Sequence, residues 1–279
     1  MRPLANIDTR PFFRPLCRDI VALLRSLGVE DWLRPTMAGT WRVRDVAAHL
    51  VDTALRRLSI HRDAARLPER LRPASDRNLV ALINDLNATW IRAAERLSTR
   101  VLVDLYDRVS IELADFIETL DLDGEAVFAV SWAGETRSAQ WLDIGREFTE
   151  VWHHGAQIRD AVGAGAFSNA DWLRAVLRIA MRALPHAYRD VPARPGVSVV
   201  VEVTGRSAGT WTVLYDGHRG WDFREGGASR PQMTATMTDE TAWRLLFNAL
   251  SAADAASLVQ VQGDASLAPP LFRARSVVV

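Results

Sequence analysis

Between residue 12 and residue 190 apolar positions recur at three- and four-residue spacing, and β-branched alternation is scarce. That periodicity belongs to amphipathic helices, and it predicts them near 13–27, 43–66, 76–97, 101–120, 139–162 and 170–189. Helix breakers fall between them: Gly28, the Pro35 and Gly39 loop, Pro68 and Pro73, the Asp123-Gly124 turn, Gly163 and Gly165, then Pro192. The expected architecture is a helical bundle with one long connection over 121–138.

After DVPARPG the period changes from 3.6 to 2. Val197, Val199, Val201 and Val203 alternate with Ser198, Val200, Glu202 and Thr204, the signature of a half-buried strand. TWTVLY at 210–215 predicts a second strand, Asp216-Gly217 a hairpin turn, and further strands follow at 220–224 and near 232–237. Thr238 and Asp239 can cap a helix over 240–250, and 264–275 predicts another. The chain therefore divides into a helical domain, 1–190, a linker, 191–196, and a small α+β domain, 197–279.

Composition narrows the function. All 34 Lys+Arg are arginine, because the chain contains no lysine, and they balance 34 Asp+Glu. Schiff-base, PLP and Walker-type lysine chemistry are thereby excluded. A net charge of +0 supplies no field for nucleic acid or anionic lipid, so neither is an expected partner. Cys17 is the only cysteine, which excludes an intrachain disulfide and a cysteine-based zinc cluster. With no apolar run approaching the roughly 20 residues of a spanning helix, and no signal-like start, the expected location is the cytoplasm.

The segment REFTEVWHHGAQIRD, 146–160, carries the most chemistry. Glu150 and His154 are four apart on a predicted helix, so their side chains project from one face within about 6 Å, close enough to grip one cation. Imidazole with carboxylate suits zinc or another divalent first-row metal. A third ligand must come from another helix, and His49 in WRVRDVAAHLVD is the candidate. A helical wheel leaves the ordinary reading open: Ile144, Phe148, Val151, Trp152 and Gly155 form the apolar side, and Glu150 falls toward the polar side, where it would be exposed. His153, three from Glu150, could replace His154.

GTWRVRDVAAHLVD and REFTEVWHHGAQIRD, followed by VSVVVEV, TWTVLYDG, TMTDETAWRLLF and VQGDASLAPPL, resemble in order and spacing the mycothiol-dependent maleylpyruvate isomerase family. The resemblance implies a DinB-like metal-binding bundle with a C-terminal domain similar to sterol carrier protein, and a metal triad of His49, Glu150 and His154. It implies a divalent metal, zinc foremost, and a low-molecular-weight thiol such as mycothiol as cosubstrate. Two departures stand out. Gln157 occupies the place, three past the second histidine, where the family usually has an acidic residue, and LLFNALSAADAASL replaces a Trp-Leu-x-Gly-Arg-like run. Gln157 and Trp152 are candidates for contacting the thiol, while Arg244 and Arg273, with Arg275 and Arg146 behind them, are candidates for a substrate carboxylate.

The chemistry implied is isomerisation or S-transfer on an electrophilic, unsaturated small molecule. A thiolate added to an activated double bond leaves a single bond that rotates before the thiol departs, or else a stable thioether. The alternatives are a non-catalytic small-molecule or lipid carrier, and a metal-dependent tailoring enzyme that needs no thiol. A monomer or small homo-oligomer is expected. DLDGE at 121–125 reads as a turn, not a calcium loop, because Trp132 stands where the last ligand would be. Cys17, with no activating partner in its own helix, reads as a buried structural residue.

Overall fold

The computed structural model describes residues 1–66, 68 and 76–277; Pro73, one of the expected breakers, lies outside them. The described residues form two compact units, one of Asp8–Val127 with Glu150–Phe167, the other of Met1–Ile7, Phe128–Thr149 and Ser168–Val279.

The first unit is helical. Helix α1, Arg10–Ser26, buries Phe13, Leu16, Cys17, Ile20, Val21 and Leu24, the one-faced stripe that its spacing predicts. Helix α2 spans Val43–Arg57 and runs into a wide turn, Leu58–Arg62, so the expected helix 43–66 ends early. Helix α3 is Asp76–Ala94, and helix α4, Thr99–Glu118, starts at Ser98, whose hydroxyl accepts from the Val101 amide at 3.3 Å. Helix α4 packs against both α1 and α2, and α3 lies along α2, where the Trp90 indole donates to the Ala48 carbonyl at 2.8 Å. The fifth helix, α5, Gln140–Val162, gives its C-terminal half to this unit.

The second unit is built on a six-stranded sheet of order β1-β4-β3-β2-β5-β6. Its strands are β1, Arg2–Pro3; β2, Ser198–Thr204; β3, Gly209–Tyr215; β4, Trp221–Glu225; β5, Met233–Thr238; and β6, Gln260–Gly263. Only β2 and β5 pair in parallel. Phe223, Val213, Val199 and Met233 form one row across four strands, and Trp211, Val201 and Ala235 the next. Val199, Val201 and Val203 of β2 are buried and Glu202 and Thr204 face out, but Ser198 and Val200 are buried as well, so the expected half-buried alternation holds only in the second half of the strand.

Helix α6, Ala170–Ala180, packs on α8, Asp239–Leu246, whose cap Thr238 accepts from the Thr241 amide at 3.1 Å. The expected helix 170–189 is interrupted at Met181–Arg182 and resumes as α7, Ala183–Tyr188. Helix α7 contacts β4 and α10, Ala268–Arg273, and the Tyr188 hydroxyl donates to the Leu267 carbonyl at 2.7 Å. Helix α9, Ala252–Leu258, and the edge strand β6 were not predicted from the sequence. Among the described residues no helix is long and apolar enough to cross a membrane. The fold class is thus a helical N-terminal region followed by a sheet-based α+β domain.

Candidate functional site

The N-terminus of α2 is fixed by a reciprocal turn in which the Asp45 carboxylate accepts from the Arg42 amide at 2.9 Å. Six residues on, His49 lies on a helix whose Val46, Leu50 and Val51 are core, and its own exposure is 4%. Helix α5 is unusual in being buried on nearly every side: from Gln140 to Ile158 only Arg146 and Glu150 are more than marginally accessible. Asp143, Glu147, His153, His154 and Gln157 are all buried. The wheel expectation that α5 has a solvent-facing polar side is therefore corrected; its polar residues are internal, and Glu150 keeps 26% side-chain exposure. A wheel ranks polarity alone, and it reads an internal polar network as surface.

His49, Glu150 and His154 converge, with one ligand atom from each lying within 4.8 Å of the others. Glu150 Oε1 stands 3.2 Å from His49 Nε2 and 3.2 Å from His154 Nε2. The Gln157 side-chain oxygen, 2.8 Å from His154 Nδ1, accepts from that nitrogen, and His154 Nε2 is left facing the Glu150 carboxylate. Ligand atoms about 2.0–2.1 Å from a tetrahedral ion lie roughly 3.3 Å apart along its edges, which matches the two 3.2 Å separations. The donor set fits a divalent metal.

Burial lowers His49 to about 4, against the opposing pull of the Glu150 carboxylate, so its ring is neutral at pH 7. For Glu150, burial pushes upward but is outweighed by His154, by hydrogen bonds from both His154 and His49, and by His153, and the carboxyl is held well below its ordinary range. The Trp41 ring lies 5.0 Å from His49 and 6.3 Å from His154, near-parallel to the latter, and walls one side of the group. His153, the alternative to His154, stacks 3.9 Å from the His154 ring and approaches Glu150 Oε2 at 3.9 Å, outside the converging set.

Sequence reasoning passed over Asp52, one turn beyond His49. It is 7% exposed, its carboxyl is raised by burial with Arg56 pulling the other way, and Arg56 Nη2 lies 3.0 Å from it. The i, i+3 spacing from His49 was the signal. Trp152 is 3% exposed and packs on Phe167 at 5.7 Å, a core position. Arg244 is engaged with Glu240 at 2.6 Å and lies over the Trp243 ring, and Arg273 is exposed at the end of α10; both belong to the sheet-containing unit. Cys17 is buried beneath the Tyr106 hydroxyl, 3.9 Å away, and burial pushes its thiol up to about 11.

Residues 13–159 match the family model described as the mycothiol maleylpyruvate isomerase N-terminal domain. Crystal structures of the mycothiol-dependent maleylpyruvate isomerase and of a histidine-to-alanine mutant of it are each similar over 91% of this chain and 91% of theirs, at 12% identity and a TM-score of 0.55. The solution structure of the sterol carrier protein domain 2 of Helicoverpa armigera is 20% identical over 37% of this chain and 78% of that one, with a TM-score of 0.23. No curated protein sequence matches the chain.

Proposed function

Because the chain belongs to the family of the mycothiol maleylpyruvate isomerase N-terminal domain, we propose that it is a thiol-dependent isomerase or S-transferase acting on an electrophilic, unsaturated small molecule, with a divalent metal held by His49, Glu150 and His154. The observation that carries this reading is the convergence of those three side chains, from two helices inside the matched segment, on one point.

Each residue has a separate task. His49 offers a neutral Nε2 because burial disfavours its cation. His154 offers Nε2 because Gln157 holds its proton on Nδ1. Glu150 supplies the negative charge that leaves a bound dication with about one net positive charge. An ion so held makes a small thiol acidic near neutral pH. Trp41 shields the two imidazoles from water on one side. The thiol must come from outside the chain, since Cys17 is buried and its ionisation is pushed up to about 11. That requirement is what distinguishes this reading from a cysteine enzyme.

Protein purified without a histidine tag or chelator is expected to contain about one equivalent of zinc or a similar metal, and the His49→Ala and Glu150→Ala variants to contain none. With mycothiol supplied, the parent should isomerise maleylpyruvate or a related unsaturated acid, and omission of the thiol should abolish turnover. Stoichiometric metal in both variants would refute the ligand assignment; undiminished turnover without thiol would refute the thiol.

A further inference from the structure

The sheet-containing unit holds a cavity of about 470 Å³, within the size range of small-molecule sites. Its lining mixes apolar Leu214, Trp221 and Phe223 with three arginines, Arg182, Arg219 and Arg224, and two aspartates, Asp216 and Asp222. Both carboxylates are committed. Asp216 Oδ1 accepts the backbone amides of His218, Arg219 and Gly220 at 2.8, 2.7 and 3.1 Å, which fixes the β3–β4 hairpin loop. Asp222 is paired with Arg224, and its Oδ1 accepts the Phe223 amide at 2.8 Å.

Arg182 stands differently. It lies at the break between α6 and α7, and its guanidinium carbon sits 4.5 Å above the Trp141 ring. Its Nε is buried without a hydrogen-bond partner among the described residues. Burial lowers its ionisation to about 10 against the attraction of Glu135, with Arg178 adding to the lowering, so it is fully charged at pH 7. Arg182 also lines the cavity, so the charge of its guanidinium lies against that space.

We propose that this cavity binds a small organic monocarboxylate, its carboxylate on Arg182 and its apolar body against Leu214, Trp221 and Phe223. The planar guanidinium fork matches a carboxylate, and the Trp141 ring 4.5 Å from its carbon holds it in place. Three arginines against two aspartates leave one positive charge in excess, which complements a monoanion better than a phosphate dianion placed beside two carboxylates. This site uses none of the metal triad and does not rest on the function proposed above.

The test is titration of the full-length protein with benzoate, benzamide and inorganic phosphate, read by calorimetry and tryptophan fluorescence. Benzoate should bind saturably while benzamide does not. Arg182→Gln should weaken benzoate about tenfold or more, the equivalent of one charged hydrogen bond, with metal content unchanged. Arg219→Gln, on the exposed loop, should weaken it by a smaller factor and keeps the test alive if Arg182→Gln fails to fold. Equal binding of benzoate and benzamide, no binding of benzoate, or benzoate binding indifferent to both substitutions would overturn the proposal. Phosphate binding tighter than benzoate would overturn the monocarboxylate assignment.

Discussion

At the residue scale, the metal-free ligand group carries a measurable cost in acid. A histidine in the unfolded chain titrates near 6.5, whereas burial lowers His49 to about 4 in the native protein. Between those values the unfolded state binds more protons, so stability rises with pH across the window and levels off above it. In the presence of a chelator, His49 alone is expected to cost about 3 kcal/mol as pH falls from 7 to 4. Urea midpoints across that range, compared with those of His49→Gln, isolate the contribution from the other titrating groups; parallel curves for the two proteins would contradict it. The residues of this group were legible in the sequence because Glu150 and His154 are four apart and His49 lies in a resembling motif. Their burial was not, since neither spacing nor polarity reports that Asp143, Glu147, His153 and Gln157 share the same internal helix. The Gln157 departure illustrates the gap: a neutral amide still fixes the tautomer of His154 through its oxygen, which the loss of an acidic residue would not lead one to expect.

At the scale of elements, α5 carries two of the three proposed ligands, Glu150 and His154, and its position against α1 is set by Gly155. A Cβ there would lie 2.7 Å from Ile20 Cδ1 and 2.8 Å from Phe167 Cζ, and the Arg159–Asp19 ion pair at 2.7 Å fastens the next turn. Gly155→Ala is therefore expected to destabilise the protein by about 1–3 kcal/mol through overpacking, despite the better helix propensity of alanine. The readout is the denaturation midpoint. Adding Ile20→Ala, which removes the Ile20 contact and leaves that of Phe167, should make the double variant more stable than the two single effects predict, and strict additivity would show that the Ile20 contact does not set the spacing. Helix boundaries were legible where an amphipathic stripe ended at a breaker, as at Gly28, whereas the Ser98 cap that starts α4 at Thr99, two residues before the expected 101, was not read. The early end of α2, the break at Met181–Arg182 and the edge strand β6 were not. The first two depend on how the backbone closes between packed elements, and β6, Gln260–Gly263, is mostly exposed and polar, so it carries no alternation to read.

At the scale of the whole molecule, the balanced charge and the order of helices before strands were open to sequence reasoning, because both are properties of composition and period. The grouping of elements into compact units was not. The break in hydrophobic period at 191–196 falls within one unit, whose members include α6 and α7 on one side of that segment and the sheet on the other. Periodicity marks where strands replace helices; it says nothing of which helices cover the sheet. Helix α7 contacts β4 and α10, the Tyr188 hydroxyl donates to Leu267 at 2.7 Å, and the Trp221 indole donates to the Val191 carbonyl at 3.1 Å. Ser207 reaches the Ala170 carbonyl at 2.8 Å, and Arg206 reaches Ser168 at 2.6 Å. Cleavage at a protease site inserted between 192 and 196 should therefore cut the chain without releasing its halves. The two fragments are expected to co-elute in native size-exclusion chromatography and to separate only in denaturant. Separation under native conditions would mean that the contacts of α6 and α7 with the sheet are weak, and that 1–190 and 197–279 behave as independent domains.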